Sequence, residues 1–169
     1  MEFIDTPLHI AAVSGKTGFA MEMMNLKPSL ARELNQDGFS PIHLALLNQQ
    51  TEMVIDFYRL IKILFVLKER GGFTVLHRAA LDENYVHLLP RFFNFCPRCI
   101  FDLTVERQTD LHVATEKNKF KAFKAMLEWI QSTFEDKYMR GKILNLQDKN
   151  GNTVLHLAAS INDPQFEIE

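Results

Sequence analysis

A histidine recurs through this 169-residue chain at a spacing that could build an array of metal sites. The motif that carries it starts at residues 6, 40, 74, 109 and 153, so the spacings are 34, 34, 35 and 44 residues. The five copies read TPLHIAA, SPIHLAL, TVLHRAA, TDLHVAT and TVLHLAA. A period of this length is typical of one supersecondary unit repeated along a stack. It therefore favours a structural role for the histidines, and no metal site or cofactor is predicted.

A CxxC pair, Cys96-Pro97-Arg98-Cys99, is the second feature with possible chemistry, because such pairs bind zinc or act as redox dithiols. A zinc site needs two further ligands, and the sequence has no second CxxC and no HxxxH. A redox pair is expected in a βαβ setting, which the repeat does not supply. The favoured interpretation is a helix exit, with Cys99 acting as a small buried apolar residue. A thiol or metal function through Cys96 and Cys99 is the third hypothesis for the chain.

Ser14-Gly15-Lys16-Thr17 matches the end of a phosphate-binding loop, and this match is weak. The complete motif needs a glycine five residues before Gly15, where the chain has Ile10. We interpret the segment as the turn between two helices. Because the histidines lie one per repeat, acid–base groups do not converge on one point, and the sequence predicts no enzyme and no small-molecule substrate.

Each repeat has local signals that begin and end two helices. A Ser or Thr stands at the N-cap position, and Pro7 and Pro41 follow at the first helical position, where proline is tolerated. A second, amphipathic stretch follows, such as residues 120–127. Turn residues such as Asp148-Lys149-Asn150-Gly151 precede the motif. The order turn, helix, turn, helix predicts an all-α solenoid. The residue pairs that define the repeat are Thr6 and His9, Ser40 and His43, Thr74 and His77, Thr109 and His112, and Thr153 and His156.

These residues resemble the ankyrin repeat, most fully at 148–159, DKNGNTVLHLAA. The resemblance implies an all-α ankyrin-repeat solenoid with short β-turn fingers and about five repeats, both terminal ones incomplete. The expected repeats of this single domain, 1–169, are 1–34, 35–68, 69–103, 104–147 and 148–169. Residues 19–34, 34–46 and 145–159 look more narrowly like the plant "bian da" type of ankyrin protein. That type implies a cytoplasmic protein-binding scaffold or adaptor in plant defence or growth signalling, whose longer members are anchored at the cytosolic side of the plasma membrane.

By the same resemblance, partner contacts fall on the turn tips and on the ends of the first helices. Phe39, Arg70 and Phe73 are the expected hot spots, because aromatic and arginine side chains dominate interface energetics. The candidate protein-binding residues are Gln36, Asp37, Phe39, Leu47, Asn48, Arg70, Phe73, Leu81, Asp82, Glu106, Gln108, Glu116, Lys117, Lys149, Asn150, Asn152 and Ile161.

The fourth repeat departs from the family pattern in two ways. Residues 105–108, VERQ, lack the turn glycine, so we expect a distorted or open tip there. The 44-residue spacing places about ten extra residues around 129–142, which we expect to form a longer second helix and a loop. Separately, the run 60–67 is more apolar than a turn region should be.

The composition restricts the class of partner and the compartment. The net charge is −2, from 19 basic and 21 acidic residues, which gives no long-range attraction to nucleic acid or to an anionic membrane. Two cysteines are too few for a disulfide framework, so a reducing compartment is expected. The amino terminus lacks a signal peptide and the run 53–67 is interrupted by charges. The alternative to a free adaptor is a truncated fragment of a longer, membrane-anchored ankyrin protein.

Overall fold

The computed structural model describes residues 5–161 and Gln165, and in that part the chain is all-α, without a strand. Within residues 5–161, ten α-helices are joined by turns and by four short 3₁₀ helices. The α-helices are α1 Pro7–Val13, α2 Thr17–Leu26, α3 Pro41–Leu47, α4 Thr51–Leu60, α5 Val75–Ala79, α6 Leu89–Phe95, α7 Asp110–Glu116, α8 Phe120–Thr133, α9 Lys137–Leu144 and α10 Val154–Ser160. The 3₁₀ helices are Pro28–Arg32, Lys62–Val66, Glu83–Leu88 and Pro97–Phe101.

The chain divides into two compact units, an N-terminal unit Met1–Val75 and a C-terminal unit Leu76–Glu169. In the N-terminal unit, α1 packs on α2 and α3, and α4 packs on α2 and α3. In the C-terminal unit, α7 packs on α8 and α10, and α8 packs on α6. First helices therefore pack on first helices and on their own second helices, as a repeated helix pair requires.

The first helices begin where the sequence predicts. The hydroxyls of Thr6, Thr109 and Thr153 each accept a hydrogen bond from the backbone N–H of the histidine three residues on. Pro7 and Pro41 occupy the first helical position. An N-cap acceptor satisfies one of the four backbone donors that a helix leaves unpaired, so these short helices start at a defined residue.

The second helices bury the apolar face that the periodicity indicates. On α4, Val54, Ile55 and Phe57 are fully buried. On α8, Met126 and Ile130 are buried, and Trp129 lies with its ring centroid 5.0 Å from that of Phe93. Burial of side chains of this size contributes about 1.5–3 kcal/mol each and supplies most of the stability of such short helices.

The extra residues of the fourth repeat are helical throughout most of their length. α8 has 14 residues, against ten in α2 and in α4, so the expected longer second helix is present. A loop follows it at residues 134–136, but it is short, because residues 137–144 form the additional helix α9. Asp136 caps α9 by accepting a hydrogen bond from the backbone N–H of Tyr138.

The apolar run 60–67 is only partly buried. Leu64 and Phe65 are fully buried in the 3₁₀ helix, whereas Leu60, Ile63 and Val66 are 41%, 51% and 39% exposed. In a 3₁₀ helix side chains three residues apart lie on the same face, so Ile63 and Val66 share the exposed face and leave Leu64 and Phe65 on the buried side.

Candidate functional site

Four turns in the described residues have the same backbone geometry. In the turn 35–39, the N–H of Asn35 donates to the carbonyl of Phe39 and the N–H of Gly38 donates back to Asn35, both at 2.9 Å. The turns 69–73, 104–108 and 148–152 repeat this pair of bonds at 2.9–3.1 Å. We call these four segments the fingers. Their closed geometry fixes the direction of the side chains at each tip.

The expectation of a distorted or open fourth finger is wrong, because this finger makes the same pair of backbone bonds as the others. The N–H of Thr104 donates to the carbonyl of Gln108 at 2.9 Å, and the N–H of Arg107 donates to Thr104 at 3.0 Å. Arg107 stands where the other fingers have glycine and adopts a φ of +60°, beside +86°, +82° and +81° at Gly38, Gly72 and Gly151. The tertiary setting therefore imposes a left-handed conformation on an arginine, against its local preference.

Four of the five repeated histidines link their own first helix to the next finger. The Nε2–H of His9 donates to the carbonyls of Glu33 and Phe39, each at 3.1 Å. The Nε2 atoms of three other histidines make the equivalent hydrogen bond to a finger carbonyl at 3.1–3.2 Å. The pairs are His43 with Phe73, His77 with Gln108, and His112 with Asn152.

The other ring nitrogen, Nδ1, hydrogen-bonds to the N-cap residue of the histidine's own helix. The Nδ1 of His9 accepts from the backbone N–H of Thr6 at 3.1 Å, and that of His112 accepts from Thr109 at 3.3 Å. Burial lowers the pKa of His112, which keeps its ring neutral and able to accept at Nδ1. Hydrogen bonds at both nitrogens support the structural interpretation of the motif. Within residues 5–161 and Gln165, no group of three or more His, Cys, Asp or Glu side chains could hold a metal ion.

The candidate binding residues of the N-terminal unit lie at its fingers and at the end of α3. Gln36, Asp37, Arg70, Leu47 and Asn48 are exposed. Phe39 and Phe73 are half-buried, and their carbonyls are the acceptors for the histidines. The N–H of Arg70 donates to the carbonyl of Gly38 at 2.9 Å, which holds the two finger tips side by side.

The candidate residues of the C-terminal unit follow the same arrangement. The backbone N–H of Lys149 donates to the carbonyl of Glu106 at 2.9 Å, and the two side chains approach to 3.4 Å. The Gln108 amide donates to the Glu116 carboxylate. Exposed members of this set are Glu106, Glu116, Lys117, Lys149 and Asn150, and partly exposed members are Leu81, Asp82, Gln108, Asn152 and Ile161.

The sequence interpretation missed a buried carboxyl group, Asp110, in the C-terminal unit. Its side chain is fully buried, and within the described residues neither oxygen has a hydrogen-bond partner. Burial raises its pKa to about 8, and Nδ1 of His77 lies 3.6 Å from Oδ1. The sequence did contain a signal for this burial. The equivalent positions in the other repeats are all apolar, namely Pro7, Pro41, Val75 and Val154.

The structure also corrects the interpretation of Cys99 as simply a small buried apolar residue. Its side chain is 1% exposed, as expected, but its sulfur forms a disulfide with Cys96. Beside this bond, Pro97, Arg98 and Phe101 line a cavity of about 490 Å³ together with Phe134, Met139 and Lys142. The segment around Gly15 is a turn between α1 and α2, as expected, with Gly15 at a φ of +68°.

Comparison with known proteins supports an ankyrin-like chain. No family model matches. The ankyrin repeat-containing protein BDA1 of Arabidopsis thaliana is 52% identical over 40 residues, which is 24% of this chain and 9% of that protein. The transcription factor MBP1 of Saccharomyces cerevisiae is 32% identical over 81 residues, or 46% of this chain and 10% of that protein. The chain spans about a tenth of the length of these curated relatives.

The fold and these similarities together define the class. The described residues form an all-α, ankyrin-like repeat fold, and its ankyrin-repeat relative suggests a protein-interaction role. No helix in the described part of the chain has both the length and the apolar character needed to cross a membrane.

Proposed function

We propose that this chain is a non-catalytic protein-interaction module that binds its partner through the finger tips and the ends of the first helices. The observation that supports this most is that structural residues and exposed variable residues occupy different positions within the repeat. Four of the five motif histidines are buried and hydrogen-bond to finger carbonyls, forming a buried frame within each unit, whereas the tips carry different exposed side chains. The tips read Gln-Asp at 36–37, Arg-Gly at 70–71, Val-Glu at 105–106 and Lys-Asn at 149–150. Such a surface can change its specificity without disturbing the core.

The finer proposal is a cytoplasmic adaptor in plant signalling, in defence or in growth. Its support is the BDA1 similarity, which covers 40 residues. The absence of catalysis and the absence of a cofactor belong to the same proposal. Their support is that both ring nitrogens of His9 and of His112 are engaged in hydrogen bonds within the fold.

Site-specific photo-crosslinking tests the assignment of the surface. A photoreactive phenylalanine analogue replaces Arg70 or Lys149 at the finger tips, and Phe19 or Lys124 on the second helices serves as the control position. All four residues are exposed. In an extract of the source cells, we expect a discrete protein adduct from the tip positions. Adducts from α2 or α8 with none from the tips would place the binding surface elsewhere.

Alanine substitution then measures the contribution of the two half-buried aromatic residues. We expect Phe39→Ala and Phe73→Ala each to weaken binding of the crosslinked partner about tenfold or more, as hot-spot aromatic residues do. Phe19→Ala is the matched control, because Phe19 is 49% exposed and lies on α2. Circular dichroism should show unchanged helicity in all three variants. Loss of helicity in Phe39→Ala or Phe73→Ala would instead identify these rings as core residues.

The alternative is that the chain is a fragment of a longer membrane-anchored ankyrin protein and has no independent function. The crosslinking experiment distinguishes the two. A tip-specific adduct formed by the isolated chain supports independent binding, and failure of all four positions, those on the second helices included, supports the alternative.

A further inference from the structure

The disulfide Cys96–Cys99 lies where helix α6 ends and the 3₁₀ helix Pro97–Phe101 begins. The two cysteines are three residues apart, and only two residues, Pro97 and Arg98, lie between them. The two cysteines differ in access, because Cys96 is half-buried and Cys99 is 1% exposed. An attacking thiol from solvent therefore meets Cys96 first.

Two sister turns show that the fold does not need this bond. In the 3₁₀ helix Pro28–Arg32 the buried third residue is Leu30, and in Lys62–Val66 it is Leu64. Each of these turns closes with the N–H of that residue donating to the carbonyl three residues before it, at 3.1 Å. The N–H of Cys99 makes the same bond to Cys96 at 3.0 Å. The backbone bonds that close the sister turns without cysteines are thus present here also, so the disulfide can open while the turn stays folded.

The surroundings favour a particular kind of thiol. The cavity beside the bond is lined by both intervening residues, Pro97 and Arg98, and by Lys142 of α9. Lys142 Nζ also lies 5.8 Å from the centre of the Phe101 ring. Arg98 and Lys142 are exposed cations on an otherwise largely apolar wall, so they attract an anionic reagent.

We propose that Cys96–Cys99 is a thiol–disulfide exchange site that takes a low-molecular-weight thiol carrying carboxylate groups. The small thiolate attacks Sγ of Cys96, the Cys96–Cys99 bond breaks, and its electron pair leaves on Sγ of Cys99, which takes up a proton. A second small thiolate attacks the small-molecule sulfur of the mixed disulfide and releases Cys96. Two small thiols become one small disulfide, and the protein gains two hydrogens. An excess of the small disulfide drives these two exchange steps in reverse and forms the Cys96–Cys99 bond again.

The first test uses the full chain and glutathione, with the thiol content measured by alkylation and mass spectrometry. We expect glutathione to reduce the pair in the folded protein at a rate proportional to the thiolate concentration, and oxidised glutathione to restore the disulfide. Urea below the unfolding transition should leave the rate unchanged. Reduction that occurs only at the rate of unfolding, or a pair that stays as two thiols in excess oxidised glutathione, would overturn the proposal.

Two matched variants identify the attacked sulfur. With oxidised glutathione, Cys99→Ser should accumulate a mixed disulfide at Cys96, whereas Cys96→Ser should react at least about tenfold more slowly, because burial limits access to Cys99. Both variants lack the disulfide, so its loss cannot account for a difference between them. Equal rates, or faster reaction of Cys96→Ser, would overturn the assignment. Wild-type kinetics remain decisive even where a variant fails to fold.

A charge variant tests the choice of thiol. Arg98→Ala combined with Lys142→Ala should slow reduction by glutathione about threefold or more at low salt, and should leave reduction by uncharged 2-mercaptoethanol unchanged. An equal effect on both thiols would show that the two cations do not select the reagent.

Discussion

Arg107 adopts a backbone conformation that opposes its own preference, since it takes the glycine place of a finger at a φ of +60°. A left-handed conformation costs a non-glycine residue roughly 1–2 kcal/mol. We therefore expect Arg107→Gly to raise the free energy of unfolding by about 1 kcal/mol, partly offset by the greater freedom of glycine in the unfolded chain. Urea unfolding followed by the fluorescence of Trp129, the single tryptophan, measures this in the C-terminal unit.

Gly151→Ala is the converse control for that prediction. Gly151 has a φ of +81°, and a Cβ built there meets nothing within 4 Å, so only the backbone conformation opposes the change. We expect Gly151→Ala to lower the free energy of unfolding by about 1 kcal/mol. If Arg107→Gly instead lowers stability, contacts of the arginine side chain outweigh the conformational cost.

Asp110 makes stability depend on pH in an unusual direction. Burial raises the pKa of this carboxyl from 3.8 to about 8, so between these values the folded chain keeps a proton that the unfolded chain has released. Stability therefore falls as pH rises from about 4 to about 8. Two other repeats have valine at this position, Val75 and Val154. We therefore expect Asp110→Val to be more stable than the wild type at pH 7.

The test is the difference in unfolding free energy between Asp110→Val and the wild type at pH 5, 6, 7 and 8. One linked proton changes this difference by up to about 1.4 kcal/mol per pH unit. Asp110→Asn is the control that keeps the shape and removes the titration. A difference that does not grow with pH would show that Asp110 is ionised in the folded chain, paired with protonated His77.

At the scale of the element, the first helices depend on their caps. α7 has seven residues, too few to be stable alone, and its N-cap Thr109 is fully buried with its hydroxyl directed to the backbone of His112. Thr109→Ala should lower the free energy of unfolding by about 1 kcal/mol, measured by urea unfolding.

Ser40→Ala provides the comparison for the cap prediction. The Ser40 hydroxyl makes no bond to the backbone of α3 and contacts only Nδ1 of His43, at 2.7 Å. We expect a smaller loss of stability than in Thr109→Ala. Equal losses would attribute the effect to the bond between hydroxyl and histidine rather than to the helix cap.

Helix positions could be predicted because their signals are local. The caps at Thr6, Thr109 and Thr153 act over three residues, so the motif alone locates the helix starts. The helix α9 could not be predicted in this way. Its residues 137–144 carry a weak apolar pattern, and a helix there is stabilised by packing of Ile143, which is fully buried.

At the scale of the whole molecule, charge argues against binding to nucleic acid, although one relative is named as a transcription factor. The net charge of −2 offers no excess of cations to displace the counterions of DNA. We expect no change in the fluorescence anisotropy of a labelled random-sequence duplex at 100 μM protein and roughly 0.1 M salt, where non-specific binders already associate. Binding that weakens steeply with added salt would contradict the protein-partner proposal and favour a nucleic-acid partner.

Much of the candidate site also follows from the repeat. All seventeen candidate residues lie at exposed or partly exposed positions, because finger tips and helix ends are places that the buried frame leaves open. Whether they bind a partner stays a prediction. The acceptors of the histidines could not be read from the sequence, since they are carbonyls 24 to 40 residues away.

The amino-acid sequence by itself determined the period of the repeat, the helix starts and the places of the turns, because each rests on interactions between residues three or four positions apart. Only the tertiary structure decided two further features. Arg107 closes its finger although its own preference opposes this, and Asp110 is buried although a helix start normally leaves such a side chain solvated. The reason is common to both. A residue's backbone strain and its loss of water are set by the elements packed around it, and these come together only in the folded chain.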